Sequence, residues 1–266
     1  MLIDDILDFI FPRYCVMCDK RLTTQEKHLC LPCYMHLPRT SYHKVEHSNL
    51  EKLFWGLKRE DDSTDSAINY NVPIERGTSF FFYTESTKKI LKQLKYYSYP
   101  EIGLYMASKF VEELKDDDSS FFDDIDVIVP IPLHWIRQMK RGYNQSTYIA
   151  QGISKETGIP VCTKAVKRSV NNKSQTLMAR NKRHDNVKDI FSLTHPELLE
   201  GKHVLVVDDV TTTGSTIASC CNELIKIPNV KISVLTLAYA GQTIIPANEE
   251  MPLPYISITP ERLSKL

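Results

Sequence analysis

The sequence predicts an α/β fold in which helices cover both faces of a mostly parallel sheet. Strands alternate with helices along the chain, and the strands are continuous apolar runs rather than runs of alternating apolar and polar residues. The length agrees with this, because 266 residues, 42% of them hydrophobic, are enough for one full domain and a smaller module. We therefore expect one main core.

Helices are predicted where apolar residues recur every three or four positions, and strands where short apolar runs lie between turn-forming residues. Ile3, Ile6 and Ile10 have the helical spacing, and Pro12 ends that helix. In chain order, the predicted elements are a helix over 3–11, a strand over 79–83, helices over 87–97 and 101–114, a strand over 127–131, a helix over 144–157, a strand near Val161, a strand over 204–207, a helix over 215–225 and a strand over 232–238. A long basic loop is expected over 167–189.

Composition divides the chain into four regions. These are an N-terminal helix with a cysteine module over 1–38, a connecting region over 39–78, the α/β domain over 79–245 and an irregular tail over 246–266 that contains four prolines. Within the connecting region, the sequence assigns no role to residues 58–72.

Charge is balanced over the whole chain but not along it. The chain has 33 lysine and arginine residues and 33 acidic residues, so its net charge is zero and does not indicate nucleic acid or membrane binding. From Trp135 to Asp189, however, the sequence contains 12 basic residues and 3 acidic ones, a basic excess of 9 (12 − 3). This basic stretch indicates an anionic ligand.

The sequence predicts a cytoplasmic protein without membrane insertion. No apolar run approaches the roughly 18 residues that a membrane span requires. Asp4, Asp5 and Asp8 stand where a secretory signal would carry positive charge.

Residues 204–217 have the pattern of a sugar-phosphate site. A buried strand over 204–207 is followed by two acids, by a run of small and hydroxyl residues and by a helix. Ligands of such sheets bind beyond the carboxyl ends of the strands, where the next helix presents unpaired N–H groups that suit a phosphate. Adjacent carboxylates can accept hydrogen bonds from a vicinal diol of ribose. The candidate residues are Asp208, Asp209, Thr211, Thr212, Thr213, Gly214, Ser215 and Thr216.

The alternative is an ordinary strand followed by a helix cap, since threonine, serine and aspartate are common in caps and turns. One cap does not require six small or hydroxyl residues after an acid pair. A nucleotide P-loop is excluded, because no Gly-x-x-x-x-Gly-Lys-Ser/Thr pattern occurs.

Two CxxC pairs separated by 11 residues place four thiolates, Cys15, Cys18, Cys30 and Cys33, where one tetrahedral zinc ion can bind them. Disulfides fit poorly in a reducing compartment, and a redox motif does not explain two pairs. His28 and His36 are nearby alternative ligands. Because four cysteines fill the coordination shell, the predicted zinc is structural.

The segment DDVTTTGST resembles the phosphoribosyl pyrophosphate (PRPP) signature of type I phosphoribosyltransferases. The resemblance implies that Asp208 and Asp209 hold the ribose diol and that residues 212–216 hold the 5-phosphate. The 6-oxopurine transferases carry an aspartate in place of Thr212, so purine salvage is disfavoured. PRPP normally binds together with Mg²⁺. Its pyrophosphate suits the end of the predicted strand over 127–131 and the basic residues that follow it. The candidate residues are Pro132, Arg137, Lys140, Arg141 and Gly142.

The basic loop over 167–189 is a candidate lid over that anion, with Lys173, Gln175, Arg180 and Asn186 as candidate contacts. A disordered surface loop is the alternative for this segment, and a solvated basic turn is the alternative for residues 137–142. Lys95 is a further candidate neighbour of the anion.

Taken in order, the motifs are similar to those of the ComF family of competence-associated phosphoribosyltransferase-like proteins, over nearly the whole chain. They are the two CxxC pairs, Leu94-Lys95-Tyr96, PIPL at 130–133, RGYNQ at 141–145, SQTLMAR at 174–180 and the PRPP segment. The resemblance implies a type I phosphoribosyltransferase fold with a zinc ribbon. It also implies a role in DNA uptake or DNA processing, with single-stranded DNA or a DNA-processing protein as partner.

The sequence leaves two uses of PRPP open. The protein either transfers the phosphoribosyl group to a nitrogen nucleophile with release of pyrophosphate, or binds PRPP as a signal without catalysis. No general base, acceptor or oligomeric state can be named from the sequence.

Overall fold

In a computed structural model of the chain, the described residues are 11–55, 72–97, 99–169 and 190–241. They fall into two compact units, one with the described residues up to Leu37 and one with those from Pro38 to Gly241. The predicted helix over 3–11 and the tail over 246–266 lie outside the described residues, apart from Phe11. Within the described ranges, no helix combines the length and apolarity needed to cross a bilayer.

The two units contain helices α1 to α7 and strands β1 to β6. In chain order these are α1 (Leu31–Met35), α2 (Asn49–Phe54), β1 (Gly77–Phe82), α3 (Thr87–Tyr96), α4 (Glu101–Asp117), β2 (Val127–Pro130), α5 (Trp135–Arg141), α6 (Gln145–Thr157), β3 (Val166–Arg168), β4 (Phe191–Leu193), β5 (His203–Thr211), α7 (Ser215–Leu224) and β6 (Lys231–Tyr239). Short 3₁₀ turns lie at Tyr42–Lys44 and Pro196–Leu198.

The first unit is built from tight turns around its cysteines. Its chain reverses between Tyr14 and Arg21, which form an isolated bridge, and the Cys15 N–H donates to the Lys20 carbonyl at 2.8 Å. The Glu26 carboxylate accepts hydrogen bonds from the N–H groups of Thr23 and Leu31, at 2.9 and 2.6 Å. These bonds hold the turn that leads into α1.

The second unit contains a four-stranded sheet in the order β1-β6-β5-β2, and all its pairs are parallel. The side chains of Val204, Leu205, Val206 and Val207 are all fully buried, although neighbours along a strand point to opposite faces. Both faces of the sheet are therefore covered, which confirms the predicted α/β fold. An antiparallel pair, β3 and β4, lies outside this sheet.

The structure differs from the sequence prediction in the connecting region. Part of it folds into the second unit: α2 starts with a capping box between Ser48 and Glu51, and it buries Leu50 and Phe54. The Glu51 carboxylate also accepts a hydrogen bond from the Gly77 N–H at 3.0 Å, at the start of β1. A helix of six residues is too short for its apolar periodicity to be visible in the sequence.

Other differences concern the strands. The predicted strand near Val161 is a single parallel bridge to Ile128, and β3 occupies the beginning of the predicted basic loop. The rest of that loop, residues 170–189, lies outside the described residues. Strand β5 continues four residues beyond Val207 because β6 continues beside it, pairing Thr211 with Tyr239.

Helices α4 and α6 pack closely through Gly152. A Cβ atom at Gly152 would lie 2.4 Å from the Leu104 carbonyl oxygen and 2.8 Å from the Ala107 Cβ. Backbone cannot move aside as a side chain can, so only glycine allows this approach. Helix α6 also contacts β2 and β5, and the helix pair thereby sets the position of α6 on the sheet.

We expect Gly152→Ala to lower the free energy of unfolding by roughly 1–3 kcal/mol, the usual range for overpacking. Urea unfolding followed by circular dichroism measures it. Gly103→Ala is the matched control, because the atom nearest to its Cβ would be the mobile Leu94 Cδ1 at 2.8 Å. Equal stability losses in the two variants would contradict the proposed close helix contact.

Candidate functional site

A crevice opens where β2 ends before its neighbour β5. Pro130 of β2 pairs with Val207 of β5, and the Ile131 N–H still donates to the Val207 carbonyl at 2.9 Å. Beyond that point, β5 pairs with β6 alone among the described strands, as far as Thr211. The acid pair thus lies within β5, whereas the sequence analysis predicted that it follows the end of the strand. It is nevertheless next to a free strand edge, which is where ligands of open α/β sheets bind.

The two acids are buried and partly satisfied. Asp208 is 8% exposed and Asp209 is 3% exposed. Asp208 Oδ1 accepts hydrogen bonds from Ser146 Oγ at 2.9 Å and from the Asp209 N–H at 2.8 Å. Lys95 Nζ lies 3.0 Å from Asp209 Oδ1. Asp209 Oδ2 is buried and has no hydrogen-bond partner among the described residues.

Burial and the neighbouring charge of Asp209 raise the pKa of Asp208 to about 7, against the weaker opposing effects of the Asp209 N–H, Lys95 and Ser146. Asp208 therefore changes its charge near neutral pH. Shifted acids of this kind are typical of functional sites.

A small hollow lies beside the acid pair at the N-terminus of α7. It is partly open to solvent and is lined by Asp208, Val210, Thr211, Thr212, Gly214, Ser215, Thr216 and Ile217. Gly214 precedes α7 with φ of 77°, a conformation that side chains other than glycine rarely adopt. The Thr213 hydroxyl donates to Ser215 Oγ at 3.2 Å. Free N–H groups and hydroxyls at a helix N-terminus suit a phosphate.

The predicted pyrophosphate segment forms α5 and the turn into α6. His134 Nδ1 accepts a hydrogen bond from the Ile136 N–H at 3.3 Å, and Gly142, with φ of 84°, ends α5. The Asn144 side chain then starts α6 by accepting a hydrogen bond from the Ser146 N–H, and it donates to the Ile131 carbonyl at 2.9 Å. The turn is therefore anchored to the end of β2.

This turn contacts the end of α3. The Tyr143 hydroxyl donates to the Leu94 carbonyl at 2.6 Å, and the Arg141 guanidinium lies 5.7 Å from the centre of the Tyr96 ring. Arg141 also donates to Gln145 Oε1. The structure thus brings Lys95 and the predicted pyrophosphate segment to the same edge of the sheet. The predicted lid residues Lys173, Gln175, Arg180 and Asn186 lie outside the described residues.

The sequence analysis missed Ser146, and it placed Arg168 only within the candidate lid loop over 167–189. Ser146 is a buried serine, the second residue of α6, and nothing in its local pattern indicates that it contacts Asp208. Arg168 ends β3 with its guanidinium 5.4 Å from the centre of the Phe191 ring. Burial and the charge of Arg137 lower the pKa of Arg168, while Asp208 acts in the opposite direction. Repulsion between two guanidinium groups near an acid is relieved when an anion binds between them.

The four N-terminal cysteines form a separate candidate metal site in the first unit. Their Sγ atoms all lie within 4.8 Å of one another, and Cys18 Sγ is 3.6 Å from Cys30 Sγ. Four thiolates at about 2.3 Å from a tetrahedral zinc ion would be about 3.8 Å apart. The cluster therefore has the ligand number and spacing of a closed site that could hold a metal ion.

Comparison with known proteins identifies a matching domain family and several similar sequences. Residues 107–251 match the sequence profile of the phosphoribosyl transferase domain. Competence protein F of Haemophilus influenzae is 36% identical over 116 residues, which are 43% of this chain and 51% of that protein, so the chain spans about half the length of this relative. DNA utilization protein YhgH of Salmonella typhimurium is 31% identical over 155 residues, covering 58% of this chain and 67% of that protein. Competence protein ComFC of Bacillus subtilis is 23% identical over 219 residues, covering 76% and 85%.

The raised pKa of Asp208 predicts that this side chain destabilises the fold at neutral pH. Its folded pKa of about 7 lies above the unfolded value of 3.8, so stability is lost as pH rises from about 4 to 7. Asp208→Asn should therefore stabilise the protein at pH 8 by at least about 1 kcal/mol, and the gain should shrink toward pH 4. Urea unfolding across this pH range measures it.

The control for this pH dependence is Asp123→Asn, which changes an exposed aspartate in the same unit. A pH-independent gain in Asp208→Asn, or the same pH dependence in both variants, would contradict the assignment.

Proposed function

Because the chain belongs to the phosphoribosyl transferase domain family and to its ComF group, we propose that the crevice beside β5 binds PRPP. The observation that carries the proposal is the buried acid pair next to a hollow lined by hydroxyl groups at the N-terminus of α7. A diol and a 5-phosphate lie on the same sugar, so a site for both identifies a ribose phosphate.

Each part of PRPP has a counterpart in the crevice. The ribose hydroxyls would donate to Asp208 and to the free Oδ2 of Asp209, and the 5-phosphate would accept hydrogen bonds in the hollow over 212–216. The pyrophosphate would lie toward Arg137 and Arg168, whose charges already repel each other. Mg²⁺ would neutralise the charge of the pyrophosphate. Its ligands would be mainly pyrophosphate oxygens and water molecules rather than protein side chains.

The geometry suits displacement of pyrophosphate from C1 of PRPP. In that reaction the bond from C1 to the pyrophosphate oxygen breaks, a bond from C1 to a nitrogen nucleophile forms, and positive charge develops on the ribose in between. Asp208 and Asp209 would orient the ring, and the guanidinium groups would stabilise the leaving group. Thr212 lacks the carboxylate that 6-oxopurine transferases carry there, so a 6-oxopurine is a poor acceptor. Release of pyrophosphate with a panel of bases distinguishes transfer from PRPP sensing without catalysis.

We place this activity in DNA uptake or DNA processing, as the names of the relatives suggest, and we propose single-stranded DNA as the partner. A specific surface favours this. Helix α5 exposes Trp135 (62%) and Met139 (75%) and also carries Arg137, Lys140 and Arg141. Cations that contact phosphates beside exposed aromatic and apolar groups that stack on bases are typical of single-strand binding. A DNA-processing protein docked on the same face is the alternative.

We also propose that the cysteine cluster binds structural zinc. The four thiols leave no coordination position open, so the ion would stabilise turns that have few apolar side chains of their own. Zinc binding requires reduced cysteines, and this agrees with the cytoplasmic location that we propose for the protein.

Calorimetry with PRPP and Mg²⁺ tests the ligand. The wild type should bind, and the double variant Asp208→Asn, Asp209→Asn should lose binding, because both carboxylate acceptors of the diol are removed. Metal analysis of the same samples should give one zinc ion per chain in both proteins. Binding by the double variant at wild-type affinity would refute the assignment, and loss of zinc together with PRPP would show misfolding.

Fluorescence anisotropy with labelled single-stranded DNA tests the partner. Affinity should fall with rising salt, because phosphate contacts release counterions. Trp135→Ala should weaken binding by about 1–3 kcal/mol, the usual contribution of one stacked base. Leu198→Ala removes an exposed apolar side chain outside α5 and should have no effect. Affinity that does not depend on salt would rule out the DNA role.

A further inference from the structure

Lys95 extends from the end of α3 to the buried acid pair of β5. Its side chain is 22% exposed, and its Nζ lies 3.0 Å from Oδ1 of Asp209. The other oxygen, Oδ2, is buried without a partner among the described residues. One oxygen of this carboxylate is therefore held by the protein, and the other is left for a ligand.

The groups that face the acid pair come from four elements. Ser146 of α6 donates a hydrogen bond to Asp208, while the charge of Asp208 acts on Arg168 of β3 and on the neutral thiol of Cys220 of α7. Among the described residues, Lys95 of α3 is the cation in direct contact with the pair. A buried carboxylate beside another acid stays ionised only if a nearby positive charge stabilises it.

The position of Lys95 is set by contacts on both sides of it. The Leu94 carbonyl belongs to the last turn of α3, where carbonyls lack partners within the helix, and Tyr143 donates to it at 2.6 Å. Burial raises the pKa of Tyr143, so its hydroxyl keeps the proton that it donates. On the other side, Arg141 lies over the Tyr96 ring. Tyr143 lies in the turn between α5 and α6, and Arg141 is the last residue of α5.

We propose that Lys95 is a positioning residue for ribose binding: it holds Asp209 by one oxygen so that the other faces the ribose hydroxyls. The Tyr143 hydrogen bond fixes the end of α3 to the pyrophosphate-binding turn and thereby couples the two ends of the ligand site. This proposal rests on PRPP being the ligand. It adds to the acid pair a residue from α3.

The test compares Lys95→Met with Lys95→Arg by calorimetry, using PRPP with Mg²⁺ and, separately, pyrophosphate with Mg²⁺. At pH 7, Lys95→Met should weaken PRPP binding at least about tenfold, because loss of the cation raises the pKa of Asp208 and removes the ion pair that holds Asp209. Pyrophosphate, which has no diol, should bind as it does to the wild type. The pH midpoint of PRPP binding should move upward in Lys95→Met and return in Lys95→Arg. Lys92→Met, an exposed lysine of the same helix, is the control.

Tyr143→Phe tests the coupling by removing one hydroxyl. PRPP binding should weaken by about fivefold, the usual effect of one neutral hydrogen bond. Failure of the wild type to bind PRPP would overturn the proposed function itself. If the wild type binds, an unchanged affinity and pH midpoint in Lys95→Met would overturn the role of Lys95 alone. Equal losses for PRPP and pyrophosphate would show a general structural role and would overturn it as well.

Discussion

Two carboxylates on consecutive residues of a buried strand repel each other and lose hydration, and the elements around β5 offset these two effects. Ser146 from α6 donates a hydrogen bond to one acid, and Lys95 from α3 forms an ion pair with the other. The Asp209 N–H donates back to Asp208. The compensation is incomplete, since the pKa of Asp208 stays near neutrality and Asp209 Oδ2 has no partner among the described residues. A ligand that donates hydrogen bonds would complete it.

The packing of the helices near the crevice positions the groups that contact the acid pair. Gly152 lets α6 approach α4, and Ser146 lies at the start of that same helix. Asn144 connects the start of α6 to the end of β2, so the early end of that strand and the position of Ser146 have a common anchor. The site is therefore supported by rigid elements, although its ligand contacts come from turns and strand ends. Such support keeps binding groups in a productive geometry before a ligand arrives.

The sequence predicted the long elements and the chemistry of β5, because these have strong local signals. Apolar periodicity identified α3, α4, α6 and α7, and the acid pair followed by hydroxyl residues identified the crevice. The short helices α2 and α5 were not predicted, because six or seven residues carry too little periodicity. Ser146 was missed, and Arg168 was predicted only as part of the candidate lid loop, for another reason. Their roles depend on contacts with residues far away in the chain, which no local pattern encodes. The extension of β5 to Thr211 likewise depends on β6 being beside it.

The strand order also has a consequence for biosynthesis. Strand β1 pairs with β6, so Gly77 has no neighbour in the sheet until Val234 has been synthesised. Phe80 and Phe81, which are buried in the finished protein, therefore leave the ribosome long before their partner strand does. A nascent chain that stops before β6 lacks the partner of β1 and one of the two partners of β5. Truncated products would then expose apolar strand edges. The crevice would form only after β6 has been synthesised and has paired with β5.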